Sequence, residues 1–261
     1  MSTEFSGRAA IITGASSGLG RATALRLGKA GMECWLVGRS SSELEKTADG
    51  IRVAGGPGSH CVALDIAREG ALAELVDEVG QQHPWLFALV NNAAVMYPEP
   101  IVEADPARTR ELFSIDLLSM MESCQAAVRQ MRKHGRPGHI VNISSLASRS
   151  DLYGAYGIVK IAVNHLGRTL RRELEGDDIR VTTVIPGGFA TNLARGFSAS
   201  ALELAAGVMQ KKGYDLQGPD ARRLMGEPDD VARMIEYILQ QPIDLNLEEV
   251  VIRPAVSIDM A

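Results

Sequence analysis

The fold of this chain is decided by one stretch, Thr13-Gly14-Ala15-Ser16-Ser17-Gly18-Leu19-Gly20. It follows an apolar run over residues 9–12 and leads into a segment whose apolar residues recur at helical spacing. A strand, a glycine turn and a helix in this order are typical of a dinucleotide-binding unit. Gly14 allows the tight turn, Gly18 lets the backbone approach a pyrophosphate, and Gly20 lets the helix lie close to the sheet. The spacing differs from the common Gly-x-Gly-x-x-Gly, so by itself the turn leaves an ordinary glycine-rich loop as an equal alternative.

Strands and helices alternate along the rest of the chain. Nearly all-apolar runs predict strands, and segments with apolar residues at helical spacing separate them. Such alternation indicates a parallel sheet covered by helices on both faces. We expect an α/β fold, a doubly wound parallel seven-stranded Rossmann-like sheet, in a single domain over 1–261. The later strands are predicted at 33–38, 61–64, 86–90, 139–143, 181–185 and 250–252, and the main later helices at 106–133, 155–175 and 229–240.

Composition and charge argue against several classes of partner and function. The 261 residues carry a net charge of -5 and no block of basic residues, which gives no electrostatic reason to expect a nucleic-acid partner. The N-terminus lacks the layout of a signal peptide, and no apolar run reaches the length of a membrane span. Cys34, Cys61 and Cys124 stand far apart, so we expect three small core residues in a reducing compartment. The histidines show no metal-ligand spacing. These observations favour a cytoplasmic protein without a metal or a membrane partner.

Tyr156 and Lys160 are the first candidates for chemistry. They are four residues apart on a predicted helix, so both side chains lie on one face. A phenol with a pKa of about 10 is a poor acid–base catalyst at neutral pH, and a neighbouring ammonium stabilises its phenolate. Lowering that pKa by about three units takes roughly 4 kcal/mol. A surface pair is the alternative. Ser144 and Ser145 follow a predicted strand upstream, where a hydroxyl can hold a substrate oxygen.

At these residues the chain resembles the classical short-chain dehydrogenase/reductase family, nearly from end to end. The glycine turn resembles that family's cofactor turn, residues 91–94 its Asn-Asn-Ala-Gly element, and residues 143–145 its serine strand. Tyr156 and Lys160 match the catalytic pair, and residues 186–191 match the Pro-Gly-x3-Thr nicotinamide loop. Each motif is a modest signal, but five in the family's order are a strong one.

The resemblance implies an oxidoreductase that interconverts a secondary alcohol and a ketone, with NADP(H) as the cofactor. Ser145 would position the carbonyl, Tyr156 would exchange the proton, and Lys160 would hold the nicotinamide ribose and lower the tyrosine pKa. Asp65 would receive the adenine amino group, the backbone at Asn91 and Phe189 would touch the cofactor, and Thr191 would contact its carboxamide. The cofactor contacts that the resemblance implies are Gly14, Ser16, Ser17, Gly18, Leu19, Gly20, Arg39, Ser40, Asp65, Ile66, Asn91, Ala93, Tyr156, Lys160, Pro186, Gly187, Phe189 and Thr191.

Two positions depart from the family pattern. Asp116, in the long middle helix, stands where the family carries an asparagine as fourth catalytic member. An ionised carboxylate only accepts hydrogen bonds, whereas an amide also donates. Near Lys160 such a carboxylate would weaken the pull of the ammonium on the phenol and push the Tyr156 pKa back up. Ser145 lies eleven residues before Tyr156, fewer than is usual, which leaves open whether Ser144 or Ser145 faces the substrate.

Arg39 indicates which nicotinamide cofactor binds. Sites for NAD place an acidic residue about 20 residues past the glycines, whereas an arginine there suits the 2′-phosphate of NADP. Gly38, Arg39 and Ser40 follow the second predicted strand at that distance, without an acid. Arg39 can form a charge-assisted pair with the phosphate, and Ser40 can add a donor. An exposed turn arginine is the alternative.

The sequence leaves alternatives open for both the function and the assembly of the protein. A cofactor-binding protein without turnover, acting as a sensor or structural partner, is favoured by Asp116 and opposed by the intact serine, tyrosine and lysine. An enzyme for carrier-bound acyl chains is a third hypothesis. Family members usually pair through the two long helices, so we expect a homodimer or homotetramer. The apolar positions expected to face outward there are Leu118, Met121, Val163 and Leu166.

The substrate itself is not specified by the sequence. The irregular segment 192–225 is expected either to pack on the domain or, from its position in the family, to form a lid. The apolar residues expected near the substrate are Leu146, Tyr153, Leu193 and Phe197, and the candidate partners of an acidic substrate are Arg195, Lys211 and Lys212.

Overall fold

The computed structural model describes residues 4–97, 99–191, 193 and 221–256. Within them the elements follow the predicted order. The strands are β1 (Ala9–Thr13), β2 (Glu33–Gly38), β3 (Ser59–Ala63), β4 (Leu86–Asn91), β5 (Gly138–Ile143), β6 (Ile179–Pro186) and β7 (Glu249–Ile252). The helices are α1 (Gly18–Lys29), α2 (Ser41–Val53), α3 (Ala71–Gln82), α4 (Pro106–Phe113), α5 (Ser119–His134), α6 (Gly154–Glu173), α7 (Ala221–Leu224) and α8 (Pro228–Gln240). Apart from residues 193 and 221–225, the predicted lid lies outside the described residues.

The sheet reverses its strand order once. All seven strands are parallel, in the order β3-β2-β1-β4-β5-β6-β7. The chain builds outward from β1 to β3, then crosses over and builds from β4 to β7 on the other side. The order therefore reverses between β1 and β4, which is where doubly wound folds bind ligands, outside the carboxyl ends of the strands. The predicted fold class is confirmed.

Two apolar layers cover the two faces of this sheet. On one face α1, α2 and α8 pack against the strands through fully buried residues such as Leu27, Leu44 and Ile235. On the other face α3, α5 and α6 pack through residues such as Val76 and Val163. Every residue of β1, β4, β5 and β6 is buried, because helices cover both faces of these inner strands.

The edge strands β3 and β7 are less buried than the inner strands. Most residues of β3 are exposed, and β7 alternates between exposed and half-buried residues, because each has a neighbouring strand on one side only. The prediction that all three cysteines are core residues is therefore wrong for Cys61, which is exposed on β3. Cys34 and Cys124 are buried, and burial raises the pKa of each thiol to about 12. Neither of these two thiols is a nucleophile at neutral pH.

The long middle helix predicted at 106–133 contains an interruption. Helix α4 begins at Pro106, where the Asp105 carboxylate caps it by accepting the Ala107 N–H at 2.7 Å. A π-helical turn over Ser114–Leu118 then joins α4 to α5. Such turns insert an extra residue into a helix and are frequent at functional sites. Asp116 lies within this turn and is fully buried.

Helices α5 and α6 expose apolar side chains, although not all of the predicted ones. Leu118, the last residue of the π-helical turn before α5, and Met121 within α5 are exposed, as predicted. The prediction is wrong for Val163, which is fully buried against the sheet, because it shares the inward face of α6 with Val159, Gly167 and Leu170. Leu166 is only partly exposed. The exposed apolar residues of α6 are Ile158 and Ile161.

The described part of the chain has neither a membrane-spanning helix nor a metal-binding cluster. None of its helices combines the length and the apolar character that crossing a membrane requires. In the same residues, no three histidine, cysteine, aspartate or glutamate side chains are grouped so that they could hold a metal ion.

Candidate active site

A cavity of about 490 Å³ opens at the carboxyl ends of the strands, where their order reverses. Its walls come from the glycine turn after β1, the segments that follow β2 to β5, the start of α6 and the loop after β6. This volume is within the range of small-molecule sites. The predicted site residues that line it are Gly14, Ser16, Ser17, Gly18, Leu19, Arg39, Asp65, Ile66, Ala93, Ser145, Tyr156, Lys160, Pro186, Gly187, Phe189 and Thr191.

The glycine turn has the geometry that its sequence predicts. Gly14 and Gly18 have φ values of 69° and 54°, which glycine adopts without steric cost. A Cβ at Gly20 would overlap the carbonyl oxygen of Gly14, so only glycine lets α1 lie this close to the turn. Ser17 occupies the N-cap position but makes no capping hydrogen bond through its side chain. The first N–H groups of α1 therefore remain available beside the cavity, which fits a pyrophosphate.

The loop after β4 is tied to the glycine turn by Thr13 and Asn92, which sequence reasoning missed. The Thr13 hydroxyl oxygen accepts hydrogen bonds from the backbone N–H groups of Asn92 and Ala93, each at 2.9 Å. The Asn92 side chain donates to the Thr13 carbonyl oxygen at 2.8 Å. Two sequence features could have identified this contact: the threonine at the end of β1, and the second asparagine of residues 91–94. These bonds hold two walls of the cavity together.

Four predicted site residues do not line the cavity: Gly20, Ser40, Asn91 and Asp116. The Asn91 side chain points into the protein, where it donates to Asn142 Oδ1 at 3.0 Å and accepts from Ser123. Side chains alternate along a strand, so the polar group that reaches the cavity wall belongs to the next residue. Ser40 is the N-cap residue of α2, with its hydroxyl 3.3 Å from that of Ser42. Gly20 acts through packing, and Asp116 lies behind Lys160.

Arg39 and Asp65 line the end of the cavity that the segments after β2 and β3 form, and both are exposed. Among the described residues Arg39 forms no ion pair, so its guanidinium is open to an anion in the cavity. Asp65 Oδ1 accepts the Ala67 N–H at 3.0 Å, which orients the carboxylate at the end of β3. This end of the cavity therefore carries one positively and one negatively charged side chain, which follow two neighbouring strands.

The two serines after β5 have different roles. Ser144 is buried, and its hydroxyl donates to the Lys160 carbonyl oxygen at 3.2 Å. Ser145 Oγ accepts the Ala147 N–H at 3.1 Å, and its hydroxyl lies close enough to the Tyr156 phenol to lower the pKa of that phenol. The geometry therefore favours Ser145 as the serine beside the reactive phenol, while Ser144 ties β5 to α6.

Lys160 forms a buried ion pair with Asp116. The Lys160 Nζ lies 3.0 Å from Asp116 Oδ2, and the two side chains are 2% and 0% exposed. Burial alone would lower the Lys160 pKa, but the Asp116 carboxylate raises it above the ordinary value. Burial also raises the pKa of the Asp116 carboxyl. These directions conflict over whether Asp116 is charged. We assign the carboxylate form, because the Lys160 ammonium lies against one of its oxygens and the Val95 N–H donates to the other.

The same groups act on Tyr156, which is 2% exposed. Burial raises the Tyr156 pKa above its ordinary value, since a buried phenolate loses hydration. Lys160 lowers this pKa, Asp116 raises it, and the Ser145 hydroxyl lowers it. The balance lies on the raised side, which is the direction expected from a carboxylate close to the lysine.

Apolar residues complete the wall beside Tyr156. The sequence prediction found Leu193 among them and missed Val95, Met96, Tyr97 and Ile115. The Tyr97 hydroxyl donates to Glu111 at 2.7 Å, which fixes its ring at the wall. Tyr153 packs against the cluster around Tyr156, and Leu146 does not line the cavity. Phe197, Arg195, Lys211 and Lys212 lie outside the described residues.

Comparison with known proteins agrees with this geometry. The model of the short chain dehydrogenase family matches residues 8–201 of the chain, a range that includes β1 to β6. The chain belongs to the short-chain dehydrogenase family. The match includes the glycine turn, the buried pair Tyr156 and Lys160, and Asp116.

Individual members of the short-chain dehydrogenase family are similar over most of their length. D-erythrulose reductase of Gallus gallus is 34% identical over 193 residues, which cover 73% of this chain and 75% of that enzyme. L-xylulose reductase of Mesocricetus auratus is 33% identical over 197 residues, 75% of this chain and 77% of that enzyme. The crystal structure of a metagenomic short-chain oxidoreductase in complex with NADP has a TM-score of 0.78 at 28% identity, over 97% of this chain and all of that one. The relatives are oxidoreductases, and the folds correspond from end to end.

Proposed function

We propose that this protein is an NADP(H)-dependent oxidoreductase that interconverts a secondary alcohol and a ketone. The observation that carries the proposal is the convergence of Ser145, Tyr156 and Lys160 on one cavity whose other end is the glycine turn. The glycine turn and the start of α1 would hold the pyrophosphate of a bound dinucleotide, and Lys160 would hold its nicotinamide ribose. The bound cofactor supplies or accepts the hydride.

The chain's own residues supply the proton and hold the substrate. Tyr156 gives its hydroxyl proton to the carbonyl oxygen in reduction and takes a proton from the alcohol in oxidation. The Ser145 hydroxyl, which lines the cavity beside the phenol, holds the same substrate oxygen. Lys160 lines the cavity with its ammonium next to Tyr156, where it binds a ribose hydroxyl and stabilises negative charge on the phenol. The apolar wall formed by Val95, Met96 and Ile115 keeps water from the reacting atoms.

The proposed cofactor is NADP(H) rather than NAD(H). Arg39 lies at the cavity end where the 2′-phosphate would bind, and no described acid pairs with it. A guanidinium forms bidentate, charge-assisted hydrogen bonds with a phosphate. The metagenomic relative whose structure corresponds to this chain was crystallised with NADP.

The proposed substrates are small ketones and the corresponding secondary alcohols. Two relatives are named as reductases of D-erythrulose and L-xylulose, which are small hydroxyketones. The described wall beside Tyr156 is mostly apolar, which favours a ketone with an apolar substituent on at least one side. The two observations define a short panel: the two sugars, and simple ketones with aliphatic or aromatic substituents.

This panel tests the proposal directly. We expect carbonyl-dependent consumption of NADPH, with kcat/KM for NADPH above that for NADH. Equal or better efficiency with NADH would contradict the cofactor proposal. Tight binding of NADPH without turnover of any carbonyl compound or alcohol would favour a non-catalytic cofactor-binding protein instead.

We also propose that the protein assembles as a homodimer or homotetramer through α5 and α6. Leu118, Met121, Ile158 and Ile161 form the exposed apolar positions of this pair of helices, at 50%, 38%, 50% and 52% exposure. Apolar patches of this kind mark protein interfaces. Light scattering at micromolar concentration is expected to give a multiple of the monomer mass, and Ile161→Glu is expected to lower it. A monomer mass for the unmodified protein would contradict the proposal.

A further inference from the structure

A buried carboxylate, Asp116, lies behind the catalytic end of the cavity without lining it. Its Oδ1 accepts the Val95 N–H at 2.8 Å. Its Oδ2 lies 3.0 Å from Lys160 Nζ in an ion pair and makes no hydrogen bond to any described atom. A buried carboxylate is costly unless it is paired, and losing its partner is strongly destabilising. Lys160 is therefore the counter-ion that this carboxylate requires.

The ion pair lies directly beside the phenol. Lys160 Nζ is 5.4 Å from the centre of the Tyr156 ring, and its other protein acceptor is the Ile143 carbonyl oxygen at 3.4 Å. A cation and an anion in contact act on a nearby group with opposite signs, so their net effect is smaller than that of either charge. The titratable groups that act on Tyr156 among the described residues are Lys160, Asp116 and Tyr153, besides the Ser145 hydroxyl.

We infer that Asp116 is a positioning residue that neutralises Lys160 and thereby keeps Tyr156 protonated at neutral pH, so that the site is set for carbonyl reduction. The inference rests on the proposed function. In reduction the carbonyl carbon gains the hydride, the carbonyl oxygen takes the Tyr156 proton, and water reprotonates the phenolate. In oxidation the phenolate must exist first, because it takes the alcohol's proton while the carbon loses the hydride. A neutralised lysine therefore confines oxidation to alkaline pH and leaves reduction active at neutral pH.

The direction of this effect agrees with the electrostatics of the site. The Tyr156 pKa is raised mainly by burial, and the Asp116 carboxylate raises it further against the opposing effect of Lys160. An asparagine at this position would leave the lysine charge uncompensated. The difference between aspartate and asparagine at one buried position is thus expected to set the pH range of each reaction direction.

Asp116→Asn tests the inference, because it keeps the side-chain size and an oxygen acceptor while it removes the charge. In the variant we expect kcat/KM for oxidation to rise, and kcat/KM for reduction to fall, at a pH about one unit or more lower than in the unmodified protein. Without cofactor, the ultraviolet absorbance of tyrosinate is expected to appear at lower pH by a similar amount. The Tyr156→Phe variant identifies which part of that absorbance belongs to Tyr156.

Asp177→Asn is the matched control. This change also removes one carboxylate, but from a surface pair with Arg132 at 2.7 Å. Its pH profiles are expected to superimpose on those of the unmodified protein. Profiles of Asp116→Asn that superimpose on the unmodified protein, or that move upward, would overturn the inference while leaving the proposed reaction intact.

A double variant keeps the inference testable if the single variant folds poorly. Asp116→Asn with Lys160→Met removes both charges and leaves no unpaired buried ion. If the pair is electrically neutral toward the phenol, the tyrosinate titration of the double variant lies close to that of the unmodified protein. An upward shift of about one pH unit or more would mean that Lys160 dominates in the unmodified protein, and the inference would be wrong. This readout needs no turnover, so it is independent of the substrate panel that tests the proposed function.

Discussion

The two ends of the cavity are built in different ways. At the nucleotide end, Gly14 and Gly18 contribute backbone geometry, and Arg39 and Asp65 contribute charges that are open to solvent. At the catalytic end, Tyr156 and Lys160 are side chains with almost no exposure, and their charges are coupled to a further buried group. Binding at the first end depends on shape and accessible charge. Reactivity at the catalytic end depends on which charged side chains are buried next to one another.

The difference determines how each end responds to mutation. A solvent-exposed charge acts weakly at a distance because water and salt screen it. A buried charge is screened much less, so a single substitution changes the proton affinity of its neighbours. Changes at the nucleotide end should therefore alter cofactor affinity and choice, and changes at the catalytic end should alter turnover and its pH dependence.

Tyr156→Phe should have the largest effect. The substitution keeps the buried ring and removes the proton, so we expect kcat to fall by roughly 10²–10⁴-fold in both directions. The dissociation constant for NADPH should change little, because cofactor binding depends mainly on the other end of the cavity. Tyr237→Phe, at an exposed tyrosine of α8, is the matched control and should retain full activity. A Tyr156→Phe enzyme with most of its turnover would contradict the proposed role of this phenol.

Arg39→Ala should have the next largest effect, restricted to one cofactor. A hydrogen bond to a charged group contributes about 1.5–3 kcal/mol, so we expect KM for NADPH to rise by about 10- to 100-fold. KM for NADH should be unchanged, because NADH lacks the 2′-phosphate, and kcat should change little. Arg52→Ala, at an exposed arginine of α2 paired with Asp49, is the control. If both cofactors lose affinity equally, Arg39 does not read the 2′-phosphate.

Gly20→Ala should have a smaller effect that arises from packing alone. The added Cβ would overlap the Gly14 carbonyl oxygen and the Asn92 side chain, so α1 must move away from the turn. Forcing a methyl group into a packed site costs about 1–3 kcal/mol, and we expect a matching loss of unfolding free energy with weaker NADPH binding. Gly58→Ala, where a Cβ would meet no atom within 4 Å, is the control. Denaturant unfolding and cofactor titration measure both quantities, and equal behaviour of the two variants would show that the turn tolerates a wider separation.

Most of the fold and the nucleotide end were predictable from sequence because their signals are local. The strand boundaries agree to within two residues, since each apolar run is continuous where both faces of a strand are covered. The exceptions lie where tertiary position overrides the pattern. Cys61 is apolar enough for a core but lies on an edge strand, and Val163 falls on the inward face of α6. Asn91 points into the protein while Asn92 braces the glycine turn.

Local sequence signals were enough to predict the order of strands and helices along the chain, the glycine geometry of the turn and the candidate groups Ser145, Tyr156 and Lys160. Their spacing along the chain carries this information, because the backbone conformation and the face of a helix depend on near neighbours. The packed structure was needed to show that Asp116 and Lys160 form one buried ion pair, and that Ser144 ties β5 to α6 while Ser145 acts on the phenol. These contacts join separate elements of the chain. Their strength comes from the exclusion of water, which exists only once the helices have packed on the sheet.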